Sequence, residues 1–492
     1  MTRRQAVLQT AAFAAASSSS SAAANSLCFL PARELAAKLR KKELSARELL
    51  DAYLQQIERV NPKVNAIVTL VADRARQKAK QLDEAAAKGK FAGVLHGLPT
   101  AHKDLVETKG IRTTFGSPIF KDNVPSANAL IIDRIQNAGA VTLGKTNTPE
   151  FGAGSQTFNK IFGATRNPYD LTKTCGGSSG GAAVSLACGM LPIADGSDMG
   201  GSLRNPASFC GIVGFRVSPG RVPGVPGNAA WSPLAVLGPM ARSASDVALL
   251  LSAMAGPDLR APMSIQEPGE VFNRPLGRNM KGVKVAWCDS LPGVAFDQRV
   301  IQVFGPQRKT LASIGCAVED AKPDFTGTDE AFRVFRALSY AQSHGPKMDK
   351  HRDLLKSTVI QEIERGRQLT GPQIADAETS RSALAARIGE FFTRYEYLIL
   401  PTVQVPPFDV EQEYVREING ETMGTYIDWM RSCYYITMTG LPAISVPAGF
   451  TVEGLPIGIQ IVGRPQADFA VLQLAHAFET ARGPIAHPSI AS

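Results

Sequence analysis

Hydrophobic and polar positions along the chain first fall into a helical period. Between Pro31 and Val60, residues Leu49, Leu50, Tyr53, Leu54 and Ile57 recur on one face, Ser45-Ala-Arg-Glu48 forms a capping box, and Pro62 is expected to end the run. Ala66 to Leu70 then reads as a strand, 72 to 88 as a helix, and Gly97 to Asp104 as a strand ending in a polar loop. Further helices are predicted at Ala127 to Asn137 and Gly180 to Cys188, with strands at Ala140 to Leu143 and Leu191 to Ala194. Such alternation of helix and strand predicts an α/β protein. From about 255 to 380 the pattern is weaker, with a strand at Val283 to Trp287, amphipathic stretches at 299–313 and 376–394, and no motif. Alternation returns at Tyr397 to Pro401, Ala443 to Val446 and Ile457 to Val462, followed by a helix from Asp468 to Glu479. Strands from the two ends are expected to share one sheet.

Length and composition narrow this picture. At 492 residues, 44% hydrophobic and 20% charged, the chain is neither disordered nor fibrous. Length alone suggests about three domains or one large one, and no Pro/Gly/Ser linker after residue 30 separates independent units. No apolar run in the body reaches the length of a membrane span. The formal net charge of +9 is scattered, without basic blocks interleaved with aromatics, so nucleic acid is not an expected partner. The seven cysteines, Cys28, Cys175, Cys188, Cys210, Cys288, Cys316 and Cys433, include no CxxC pair and no histidine at metal-ligand spacing. They read as buried thiols, not as a zinc site or a disulfide framework.

Residues 1–24 stand apart. Arg3-Arg4, an Ala-rich weakly apolar stretch, Ser17 to Ser21 and Ala22-Ala-Ala24 follow the order of an export signal, and the arginine pair before Val7-Leu8 resembles the twin-arginine type. The expectation is a signal peptide over 1–24, one domain over 25–492, and a periplasmic protein; without a functional signal the protein would be cytoplasmic.

Three loops carry candidate chemistry. Gly139-Ala-Val-Thr-Leu-Gly-Lys145-Thr146 matches the P-loop expression, which offers an ATP-binding reading, but the strand lies inside the motif and Pro149 opposes a following helix. Gly176-Gly-Ser178-Ser-Gly180 matches the nucleophile elbow of an esterase, which requires a histidine base from among His344, His351, His476 and His487. In Asp195-Gly-Ser-Asp198-Met-Gly-Gly-Ser202-Leu-Arg204, paired glycines before a serine let backbone N–H groups converge on an oxyanion beside a hydroxyl. A serine needs a base, and Lys103, at the end of an apolar stretch where burial would disfavour its charge, is the economical candidate.

Here the chain resembles the amidase signature family. Gly176 to Gly181 and Asp195 to Arg216 match its signature almost residue for residue, with Ser178 and Ser202 standing 24 positions apart. Gly97 to Leu105, Gly144 to Phe151, Gly238 to Arg242, Gly440 to Pro447 and Pro456 to Gly463 extend the resemblance to about residues 31–482. It implies a single large α/β domain with a central mixed, twisted β-sheet covered by helices. It also implies a triad of Ser202 as nucleophile, Ser178 as proton shuttle after a cis peptide bond, and neutral Lys103 as base. The N–H groups of Met199, Gly200, Gly201 and Ser202 would form the oxyanion hole, with Ser179, Asp198 and Arg204 in support. His102 and Cys175 depart from the residues common in the family at those positions. His102 is open to two readings, lowering the lysine pKa by proximity or pointing to the opposite face of the strand, and period-two alternation favours the second. The implied activity is hydrolysis of a carboxylic amide to an acid plus ammonia or an amine, with no cofactor, no metal, no stable membrane association, and a homodimer compatible with the reading. Within the family, the glutamine-hydrolysing component of a tRNA-dependent amidotransferase is the alternative. The amide itself is left open.

Overall fold

The Ser45 capping box opens a helix, as its pattern predicts. In the computed structural model, which describes residues 27–225 and 229–491, the Glu48 N–H donates to Ser45 Oγ (3.1 Å) and the Ser45 N–H donates back to Glu48 (2.9 Å). The expected run is two helices, Ala32–Lys41 and Ala46–Val64, separated by Lys42 in the left-handed region. Pro62 does not end the second one. It sits inside the last turn, and the helix closes at Asn65, whose positive φ turns the chain into the first strand. The proposed signal segment, 1–24, lies outside the described residues.

Eleven strands build two sheets. A small sheet holds β1 (Ile67–Leu70), β2 (Pro99–Lys103) and β3 (Val141–Thr146) in the order β1-β3-β2, with β2 and β3 parallel. Two-residue β4 (Phe158–Asn159) and β5 (Gly163–Ala164) pair separately, as do β12 (Glu417–Ile418) and β13 (Glu421–Thr422). The large sheet runs β10 (Ala317–Asp320), β9 (Lys284–Trp287), β11 (Tyr397–Pro401), β15 (Pro456–Gly463), β14 (Ala443–Phe450), β7 (Val213–Arg216), β8 (Val236–Ala241) and β6 (Ile193–Asp198). Parallel pairs at the β10-β9-β11 end and antiparallel pairs elsewhere make it mixed. The expected sharing holds only in part: β6, β7 and β8 join the C-terminal strands in this sheet, which helices surround, whereas β1, β2 and β3 pair apart from it. The strand bearing Lys103 belongs to the small sheet, a separation that alternation alone does not reveal.

The middle of the chain supplies a wall. Helices Thr328–His351 and Ser357–Arg367 were not anticipated, because Gly345 and Pro346 interrupt the apolar period of the first. Thr328–His351 stacks Phe332 on Tyr434 with ring centres 4.2 Å apart, and the same ring lies 3.5 Å from a Cβ built on Gly200, beside the Ser202 loop. All seven cysteines are buried as free thiols. Among the described residues, no helix is long and apolar enough to cross a membrane.

Candidate active site

Lys103 ends β2 fully buried, with its side chain reaching the helix-capping loop before Gly180–Ala187. Its Nζ lies 2.7 Å from Ser178 Oγ, 2.8 Å from Ser179 Oγ and 3.0 Å from Ser197 Oγ. Burial pushes the lysine down to about 7, against the pull of Asp198 and Asp195. The neutral amine is therefore accessible near neutral pH and can take a proton from Ser178. The Gly177–Ser178 peptide bond is cis. Gly177 is required there, since a Cβ would meet the Gln156 backbone at 2.9 Å.

His102 faces away from the serines. Its Nδ1 lies 2.6 Å from Asp195 Oδ1 and its Nε2 3.1 Å from Thr142 Oγ1, while the Lys103 N–H donates to Asp195 Oδ2 (3.2 Å). Thr100 Oγ1 donates to the Ile193 carbonyl (3.1 Å). The bonds to Asp195 and Ile193 fasten β2 to β6 across the gap between the two sheets, while that to Thr142 stays within the small sheet, so the strand with the lysine and the strand leading to Ser202 hold one geometry. His102 positions the base and is not part of the relay.

Asp198 organises the loop that follows β6. Fully buried, it accepts from the N–H groups of Gly201 (3.0 Å) and Leu203 (3.1 Å) and forms a two-pronged pair with Arg204 Nε (3.0 Å) and Nη2 (2.8 Å). Arg216 Nη1 donates to the Asp198 carbonyl (2.6 Å). Burial alone would raise this carboxyl, but the two guanidiniums and the backbone donors hold it far below the usual carboxylate range. Arg204 is anchored in turn by the Cys433 carbonyl (2.8 Å), Thr437 Oγ1 (3.0 Å) and Gln460. Gly201 adopts φ +122°, and a Cβ would lie 2.6 Å from Cys433 Cβ, so only glycine fits. The Ser179 N–H donates to the Ser202 carbonyl (3.2 Å), joining the two serine loops.

Ser178 and Ser202 open onto one cavity of about 130 Å³, walled by Met199, Gly200, Phe332, Tyr340, Tyr426 and Met430. Two charged residues in its wall, Asp198 and Arg336, are matched: Asp198 by Arg204 and Arg216, Arg336 by Glu362. Ser178, Asp198, Met199, Gly200 and Ser202 line this cavity, with Lys103, Ser179 and Arg204 bonded directly behind them, whereas the Gly201 N–H, expected as an oxyanion donor, is given to Asp198 instead. Ser197, Asp195 and Arg216 were not singled out. They lie within the quoted signature, and the strand period of β6, which aims Ser197 toward the lysine, was the available signal.

The competing motif readings fail on geometry. Lys145 is buried in β3, where its ammonium donates to the Val106 carbonyl and to Thr108 Oγ1 (2.9 Å), and no helix follows to hold a phosphate. The base beside Ser178 is Lys103, and none of His344, His351, His476 or His487 is among the hydrogen-bond partners of that serine. The elbow-type esterase reading is thereby corrected.

A buried lysine on the small sheet beside two serine loops is an arrangement that suits a hydrolase, with Lys103 and not a histidine hydrogen-bonded to Ser178. Comparison with known proteins agrees: the family described as Amidase matches residues 48–472, and the chain belongs to it. An acylamidase of Rhodococcus erythropolis is 34% identical over 460 residues, covering 93% of this chain and 96% of its own. A glutamyl-tRNA(Gln) amidotransferase component of Geobacillus kaustophilus is 35% identical over 473 residues, covering 91% and 96%. Among solved structures, a bacterial aryl acylamidase of the amidase signature family superimposes with a TM-score of 0.86 at 30% identity, over 92% of this chain and 96% of that one.

Proposed function

We propose that this amidase hydrolyses a neutral carboxylic amide through an acyl-enzyme on Ser202. The observation that carries the reading is the buried Lys103 amine, lowered to about 7 and 2.7 Å from Ser178 Oγ. Neutral Lys103 takes the Ser178 proton as Ser178 takes that of Ser202, and Ser202 Oγ attacks the amide carbonyl. Since Asp198 occupies the Gly201 N–H, the amides of Met199, Gly200 and Ser202 are the donors for the oxyanion. Return of the proton through Ser178 to the departing nitrogen releases ammonia or an amine. Water, deprotonated by the same relay, then cleaves the ester.

The matched charges of the cavity favour a neutral substrate over glutamine. A bound amino acid brings an ammonium and a carboxylate, each of which needs a counter-charge when desolvated. Arg336, the cationic group in the wall, already has Glu362 upon it. The likeness to an acylamidase supports the same choice over the transamidation component.

Ser202→Ala tests the reading. Amide hydrolysis should fall by about a thousandfold or more, as expected for removal of a nucleophile, with the thermal midpoint unchanged; retained turnover would overturn it. We also propose, from residues 1–24 of the sequence, export to the periplasm in folded form.

A further inference from the structure

A second cavity, of about 410 Å³, lies against the catalytic one, and Leu105 and Phe151 line both. Only the second falls in the size range of pockets that hold a whole small molecule, about 300–1,000 Å³. Its other walls are mostly apolar, with Val106, Phe115, Phe120, Val225 and Leu237, and carry Glu107, Asn123, His344 and Lys347 as polar groups. Leu105 follows the catalytic strand by two residues. Phe151 holds a left-handed backbone, φ +49°, which bulky residues avoid. Its ring lies on His344, centres 4.4 Å apart and planes 26° from parallel. The His344 Nδ1 is buried without a hydrogen-bond partner, and burial pushes that imidazole down to about 3, so it is neutral.

The partition stands on one particular side of the scissile bond. A Cβ on Gly152, the neighbour of Phe151, would lie 3.1 Å from Leu105 Cδ1 and 3.4 Å from Ser178 Oγ, so the partition abuts the shuttle serine. On the reading above, Ser178 hands the proton to the leaving nitrogen, which places the amine on this side. The oxyanion loop faces elsewhere: Gly200 packs toward Phe332 and Met430, at 3.5 and 3.7 Å from a Cβ built there, which places the acyl group in the small cavity.

We propose that the substrate spans the Leu105–Phe151 partition, a compact acyl group in the 130 Å³ cavity and a ring-sized apolar amine in the 410 Å³ cavity, with Phe151 setting the size of amine accepted. The reaction is ordinary amide hydrolysis, amide plus water giving acid plus amine. The inference rests on the Ser202–Ser178–Lys103 reading and adds the side and size of each group. His344 Nδ1, buried without a hydrogen-bond partner, offers the cavity a polar contact beside those of Glu107, Asn123 and Lys347, suited to a hydroxyl or amino substituent on the ring.

Two substrate series test it. With acetyl fixed, kcat/KM should rise at least tenfold from the amide of ammonia to those of aniline and benzylamine; with aniline fixed, it should fall at least tenfold from acetyl to octanoyl. Phe151→Gly, which keeps a backbone that glycine adopts freely, should raise the ratio of naphthylamide to anilide hydrolysis about tenfold. Leu105→Trp should lower it. Aniline should inhibit the wild type competitively, a readout that needs no variant. Equal rates along the amine series, or rates rising with acyl length, would overturn this inference while leaving the site intact. Retained hydrolysis by Ser202→Ala would instead overturn the site itself.

Discussion

In the proposed relay Lys103 can act as a base because two opposing effects leave it close to neutral pH. Burial disfavours its ammonium form, and Asp198 and Asp195 partly restore it, leaving the group at about 7 instead of the 10.5 of an exposed lysine. The sign for activity follows directly: below about 7 the amine is protonated and cannot accept, so kcat/KM should climb through a midpoint near 7 and then level off, as read from a pH–rate profile. Lys103→Ala should cost about 10²–10⁴-fold in rate, the usual worth of a general base, and Lys103→Arg should not rescue, since arginine stays charged. Stability has its own sign. Between about 7 and 10.5 the unfolded chain holds a proton on this lysine that the folded one has shed, so its contribution to stability rises with pH across that window. Asp198 is the opposite case. Its carboxyl is held far down by two arginines, so its contribution is full above the ordinary carboxylate range and is lost only in strong acid. Asp198→Asn should destabilise the fold by about 3–5 kcal/mol in urea unfolding, because it strands Arg204 and Arg216 in the interior.

Strands and loops deliver these groups to one another. β2 and β6 belong to different sheets, and what joins them beside the lysine is side-chain bonding: His102 and the Lys103 N–H on Asp195, and Thr100 on the Ile193 carbonyl. The departure at His102 thus has a local reason, and strand alternation had placed it on the correct face. Loop 199–203 is held the same way, by a carboxylate beneath it and by a glycine against Cys433. Gly201→Ala should lower both the thermal midpoint and kcat, because it asks alanine for φ +122° and sets its Cβ on that of Cys433; an unaltered kcat would refute the claim that this glycine shapes the nucleophile loop. The Ser45 capping box was legible because it is written in four consecutive residues, whereas Pro62 stands within the helix, which runs two residues past it to Val64. The P-loop match shows the converse. Its letters are all present, yet the glycine and lysine sit within β3, where no backbone nest exists to hold phosphate.

Across the molecule, chain segments hundreds of residues apart close the site. Arg204 ends on Cys433, Thr437 and Gln460, and the cavity wall comes from a helix in the motif-free middle. The route by which the protein reaches its compartment is a further property of the whole chain, and its test lies in residues 1–24. Fused to a folded reporter, that segment should direct export that is lost when Arg3 and Arg4 become lysine; retention of the wild-type fusion in the cytosol would refute it. The sequence by itself determined the α/β alternation and the family, and put forward Lys103, Ser178 and Ser202 as candidates, because each is encoded in local periods and contiguous motifs whose spacing survives without coordinates. Only the tertiary structure decided that the lysine's strand forms a separate sheet, that Ser197 and Arg216 complete the polar cluster, and that Phe332, Arg336 and Phe151 shape the cavities. Those facts depend on which distant surfaces exclude water from one another, and no local pattern along the chain carries that information.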